Sequence, residues 1–308
     1  MLSSIPFEIP SYLLDRANTK RLSRMAIAGA DHKIALESAH KCALANLIEP
    51  VLIGDKRKIE LLAESVAWDI SKFQLINAIR EDDIAQVAVS LARAGEVATL
   101  MKGHLHTDIL MRAILNDKYG LRTNSRLSHI FHMTVPNNPR VLLITDGALN
   151  VAPNVSTKIE IVKNAVQLAH ALGNNRPRVA MLSGTETAIK SMPSSTEALE
   201  VVERAKRGEI NNALVDGPFA FDIAISQKAA ELKGIDSPVA GFADVIVVPN
   251  IEMGNGLFKM MVYFMSGLAA GVIIGAKVPI VLTSRADPPE ARLAATAIAN
   301  IISKHNSL

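Results

Sequence analysis

The sequence is poor in cysteine: Cys42 is the only one among 308 residues. No internal disulfide can form, so a reducing compartment is expected, and the cytoplasm is the natural location. An excess of one charge is lacking as well. The 33 basic and 30 acidic residues leave a net charge of +3 spread along the chain, too balanced for a nucleic-acid-binding surface. The opening Met1-Leu-Ser-Ser-Ile-Pro-Phe-Glu-Ile-Pro10 has no basic segment before an apolar core, and no secretory signal is expected there. The stretch Met260 to Ala276 is free of charge and places Gly267, Gly271 and Gly275 four residues apart, as membrane dimerisation helices do. It falls short of the ~20 residues a span requires. A buried helix, a turn and a strand are expected instead, with no membrane association.

Several chemistries lack their motifs. No Gly-x-Gly-x-x-Gly follows an apolar run, and Gly271-Val-Ile-Ile-Gly-Ala-Lys277 is one residue short of a phosphate-cradling loop and lacks its Ser or Thr. No Gly-x-Ser-x-Gly elbow is present, which argues against a serine hydrolase of the common α/β type. His104 and His106 lie close together, as do His129 and His132, but residues three apart on a strand point to opposite faces, so the second pair is not expected to share an ion. No metal is expected. Cys42 sits in an amphipathic helical stretch without a neighbouring base, as a small buried residue does.

What is present is a regular alternation. Apolar residues make up 49% of the chain, enough core for one large domain or two. After an irregular, basic lead-in over residues 1–24, strands are predicted at 25–29, 50–54, 73–76, 96–103, 128–135, 141–147, 178–183, 213–216, 245–248 and 279–283. Helices are predicted at 31–46 with Asp31 as cap, from 55 to before 68, at 81–94, from 156 or 157 to 172, and at 288–304. Such alternation predicts an α/β protein with a parallel sheet. Polarity collects where the strands stop: Lys102-Gly103, Asp146-Gly147, Ser183-Gly184, Asp216-Gly217, Pro249-Asn250 and Ser284-Arg285. In open α/β sheets that edge binds ligands. The richest of these stretches runs from Asp244 to Lys259. Its β-branched run ends at Pro249, and Asn250, Glu252, Gly254, Asn255 and Gly256 read as a polar turn leading into a helix with Lys259, a setting for an anion.

At these strand ends the sequence resembles the phosphate acetyltransferase and phosphate butyryltransferase family, from about Met25 onward. The motifs are Met101-Lys-Gly103; Thr145-Asp-Gly-Ala-Leu-Asn150 with Pro153 and Lys158; Val179-Ala-Met-Leu-Ser183; Asp216-Gly-Pro218; Ser237-Pro-Val-Ala-Gly-Phe-Ala-Asp244; Pro249 with Gly254-Asn255 and Lys259; and Thr283-Ser-Arg285. The resemblance implies two α/β/α domains with mainly parallel sheets, of the isocitrate and isopropylmalate dehydrogenase type, with the active site in the interdomain cleft. It implies residues 1–146 plus 284–308 as the first domain and 147–283 as the second, dimerising one, in a homodimer. It also implies reversible acyl transfer between coenzyme A and inorganic phosphate, with coenzyme A as substrate and no permanently bound cofactor. Butyryl or another short chain is ranked ahead of acetyl.

For that chemistry the expected catalytic residues are Ser284, Arg285 and Asp287. Arginine binds phosphate bidentately, which favours Arg285, and Ser284 offers a hydroxyl beside it. A base is needed to activate the thiol. Acetyl-type members carry an aspartate seven residues after the serine, where this chain has Ala291. Asp287, Glu290, Asp146 and the phosphate itself remain the alternatives for that proton. Lys102, Gly103, Ser128, Asp146, Asn150, Gly254, Asn255 and Lys259 are expected to bind substrate, the last three around phosphate or the oxyanion. Arg122 and Arg126 are further candidates for an anion. Two other readings stay open: a metal- and NAD-dependent decarboxylating dehydrogenase, and a non-catalytic sensor of coenzyme A or acyl phosphate.

Overall fold

The chain alternates strand and helix almost from its start, and the computed structural model describes residues 5–18, 22–282 and 287–305. The elements run α1 (Ser11–Ala17), β1 (Ser23–Ala28), α2 (Lys33–Leu44), β2 (Ile48–Gly54), α3 (Lys56–Ser65), β3 (Gln74–Asn77), α4 (Glu81–Arg93), β4 (Thr99–Lys102) and α5 (Thr107–Ile114). They continue with β5 (Ser128–Val135), β6 (Asn138–Thr145), α6 (Val155–Ala171), β7 (Arg178–Leu182), α7 (Pro193–Arg204), β8 (Leu214–Phe219), α8 (Phe221–Ile225), α9 (Gln227–Leu232), β9 (Val245–Val247) and α10 (Ile251–Met265). The chain closes with β10 (Leu268–Ile274), β11 (Ile280–Val281) and α11 (Pro289–His305).

By internal contacts the chain divides into a central unit, Arg126–Ala269 with residues 5–8, and a flanking unit, residues 9–125 with those from Ala270 on. In the sequence reading the corresponding boundaries lie at 146/147 and 283/284. The flanking sheet orders its strands β3-β2-β1-β4-β11-β10, parallel from β3 to β11, with β10 antiparallel. Met25 to Ala28 are fully buried, as a strand covered on both faces requires. The central sheet orders β5-β6-β9-β7-β8, parallel apart from the β5–β6 hairpin. That hairpin turns at Asn137, an asparagine at φ 60°, where its short side chain tolerates the left-handed region.

Three local expectations change. The irregular lead-in contains α1, whose Leu13 and Ala17, one turn apart, are buried. The cap of α2 is His32, whose Nδ1 accepts from the Ile34 amide at 3.3 Å, and not Asp31. Gly254, Asn255 and Gly256 lie inside α10 and form no turn, because Asn250 caps the helix one residue after Pro249 and accepts from the Met253 amide at 3.0 Å. The glycine-spaced stretch 260–276 is the end of α10, a left-handed Ser266 and β10. No described helix is long and apolar enough to cross a membrane.

Candidate functional site

In the central unit the carboxyl ends of β6 and β9 lie side by side, since Thr145 pairs with Val247. The segment before β5 reaches the same edge, because β5 runs antiparallel and Ile130 pairs with Thr145. Three segments far apart in sequence therefore meet there: 126–128, 146–151 and 249–255.

Asp146 organises the middle one. Its buried carboxylate accepts from the Ala148 and Leu149 amides, each at 2.9 Å, from the His129 amide at 3.0 Å, and from Asn150 Nδ2 at 2.7 Å. Four donors fill its acceptor sites, so this aspartate shapes the loop. Asn150, also buried, donates to the Leu127 carbonyl at 2.9 Å and accepts from Arg126 Nε at 3.0 Å. Ser128 is fully buried, and its hydroxyl accepts from Asn164 Nδ2 at 2.8 Å.

The start of α10 is seated on this loop by two glycines. A Cβ on Gly254 would lie 2.7 Å from the Asp146 carbonyl oxygen and 2.8 Å from Gly147 Cα, so no other residue fits without displacing backbone. The Ile251 amide donates to the Val151 carbonyl at 2.9 Å, and Asn255 Nδ2 to the Gly147 carbonyl at 3.4 Å. Lys259, four residues after Asn255, shares its helical face and is exposed. Phe258 stacks on Phe131 with ring centroids 3.9 Å apart, fixing the helix against β5. Deeper on α6, the fully buried Lys158 is ion-paired with Glu197 of α7. On β8, Asp216 Oδ2 accepts from the Ser237 hydroxyl at 2.5 Å, which ties that strand to the loop before β9.

In the flanking unit, Lys102 is buried at the end of β4. Gly103 lies on the turn after β1: a Cβ there would be 2.4 Å from the Gly29 carbonyl oxygen, while its amide donates to the Ala28 carbonyl at 2.8 Å. His104 stacks on His32 at 4.1 Å, whereas His106 bonds Glu81 through Nδ1 at 2.9 Å. The two neighbouring histidines thus serve different partners, and the hydrogen bond from the His106 amide holds the Glu81 carboxyl below its usual range. His129 and His132 are both buried, and burial pushes the His132 imidazole down to about 4. Among the described residues no group of three or more His, Cys, Asp or Glu is arranged to hold a metal ion.

Asp287 precedes α11 and is partly buried. Burial lowers the pKa of Arg292 on α11, an effect that the charge of Asp287 opposes. Ala291 is buried. Ser284 and Arg285 lie outside the described residues. The central unit thus brings together Ser128, Asp146, Asn150, Gly254 and Asn255, while Lys102, Gly103 and Asp287 belong to the flanking unit. Sequence reading missed Asn164 and Glu197. Their signal was a lysine and an asparagine, Lys158 and Asn164, on the otherwise apolar inward face of α6.

Polar, glycine-seated loops on the carboxyl edge of a mainly parallel sheet define an α/β protein of the kind that binds ligands at that edge. A family model described as "Phosphate acetyl/butaryl transferase" matches residues 78–300. The chain is 44% identical over 291 residues to phosphate acetyltransferase of Rickettsia prowazekii (strain Madrid E), covering 94% of this chain and 83% of the relative. It is 34% identical over 290 residues to phosphate butyryltransferase of Clostridium acetobutylicum, covering 94% and 96%. Among solved structures, a branched-chain phosphotransacylase from Enterococcus faecalis V583 superposes with a TM-score of 0.79 at 33% identity, covering 91% of this chain and 99% of that one. This chain belongs to the phosphate acetyl/butyryl transferase family.

Proposed function

We propose that the protein transfers a short acyl group between coenzyme A and inorganic phosphate: acyl-CoA + phosphate ⇌ acyl phosphate + CoA. The observation that carries this is the close seat of α10 on the Asp146 loop through Gly147 and Gly254. It is found in a chain whose relatives of that name match it nearly end to end. In the forward direction a phosphate oxygen attacks the thioester carbonyl, the carbon–sulfur bond breaks, and the thiolate leaves. In reverse the thiol proton is lost before sulfur attacks the acyl phosphate. No covalent acyl-enzyme is required.

Asn255 and Lys259, on one face of α10, supply a donor and a charge for phosphate or the oxyanion, and Asp146 and Asn150 hold the loop that receives them. Lys102 and Gly103 of the flanking unit serve substrate binding, and the sequence assigns Ser284 and Arg285 to phosphate. Asp287 is the proposed proton acceptor, beside Arg292 at the start of α11. Coenzyme A is a substrate, and the cytoplasm is the proposed location. We further propose a homodimer assembled through α10, whose Met253, Met260, Tyr263, Phe264 and Met265 are exposed.

Thiol release from acetyl-, propionyl-, butyryl- and branched acyl-CoA tests the reading. Release is expected to depend strictly on added phosphate or arsenate, and the panel fixes the acyl length. Release without either anion, or NADH formation from hydroxy acids in its place, would overturn it.

A further inference from the structure

We propose that Arg126 binds a phosphate group of a substrate and that Asn150 positions it for that task; the inference rests on the phosphotransacylase reading. Arg126 is exposed, yet it is held by a buried polar framework. Its Nε donates to Asn150 Oδ1 at 3.0 Å, and its carbonyl accepts from Asn164 Nδ2 at 2.7 Å. The same two asparagines secure the next two residues, through the Leu127 carbonyl at 2.9 Å and the Ser128 hydroxyl at 2.8 Å. Asn150 is fixed in turn by Asp146 at 2.7 Å. Asn150, Asn164, Ser128 and Asp146 are all buried, and burying four polar side chains is costly unless each is bonded, as here. The framework orders one arginine at the carboxyl edge of β6.

Two arginines that precede Arg126 in the sequence have an anion of their own. Arg122 pairs with Asp117, and Arg112 lies beside Asp82 and Asp108. Among the described residues no carboxylate pairs with Arg126. With Nε engaged by Asn150, the two Nη groups form the remaining fork, whose spacing matches two oxygens of a phosphate. The phosphate comes either from coenzyme A or from the small substrate, inorganic phosphate or acyl phosphate.

Calorimetric titration of coenzyme A, dephospho-coenzyme A and inorganic phosphate into wild type, Arg126→Gln and Arg126→Lys separates these sources. Arg126→Gln is expected to weaken one of them ~10-fold, with Arg126→Lys recovering part of the loss. Loss confined to coenzyme A assigns the coenzyme, and to its 3′-phosphate if dephospho-coenzyme A binds both proteins alike; loss confined to inorganic phosphate assigns the small substrate. In steady state the matching KM rises while kcat stays near wild type. Asn150→Ser is expected to raise the same KM, with no further rise when combined with Arg126→Gln. Affinities within about twofold of wild type for all three compounds would overturn the inference, as would a wild-type protein that binds none of them. Because titration reads binding without turnover, it decides the role of Arg126 separately from the acyl-transfer assay.

Discussion

Gly254 and Gly256 stand two residues apart on one helix and obey different constraints. A Cβ on Gly254 would strike the Asp146 carbonyl, whereas one on Gly256 would meet nothing within 4 Å. Gly254→Ala must push α10 off its loop, with an expected loss of about 1–3 kcal/mol in denaturant unfolding and a fall in phosphate-dependent activity. Gly256→Ala places a better helix former in open space and is expected to stabilise by about 0.5–1 kcal/mol. Equal effects of the two substitutions would contradict this seating of α10. At the same scale, Asp146 shows how a residue chosen for its chemistry serves through structure. Its carboxylate is filled by four protein donors, so it positions the loop and Asn150, and proton transfer falls to Asp287 in the proposed mechanism.

Helices α6 and α7 are joined by one charged contact. Lys158 is fully buried and Glu197 only partly, so the pair is asymmetric. Removing the carboxylate leaves a buried ammonium without its counter-charge, whereas removing the lysine leaves a carboxylate that water can reach. Glu197→Ala is therefore expected to cost roughly 3–5 kcal/mol and Lys158→Met distinctly less, as read by chemical denaturation. The reverse order would show that the pair does not carry the α6–α7 contact. The caps belong to this scale too. Asn250 and Asn154 each accept an amide three residues on, at 3.0 and 2.9 Å, and thereby decide where α10 and α6 begin.

For the molecule as a whole, α10 is an apolar helix with Gly254 as its buried residue, and Phe264 is 64% exposed. A helix of that composition is expected to be covered. Phe264→Glu should convert the proposed dimer to monomer in sedimentation at micromolar concentration; a wild-type monomer under those conditions would remove the proposal. The strands and most helices were legible in the sequence because their signals are local: runs buried on both faces such as 245–248, and the amphipathic period of 81–94. The polar residues at strand ends were legible for the same reason. The sequence by itself determined the α/β class, the positions of most elements and the motifs that mark the family. The stretch from Asp244 to Lys259 shows what it could not determine. Its glycines read as a turn, because local propensity disfavours glycine inside a helix, and only the approach of α10 to Gly147 and Asp146 explains why one of them must be glycine. Tertiary structure likewise decided that Asn150, twenty-four residues away in the chain, holds Arg126, and that Asn164 backs it. Such contacts arise from sheet order and register, which bring distant segments to one edge and leave no periodic trace in the chain.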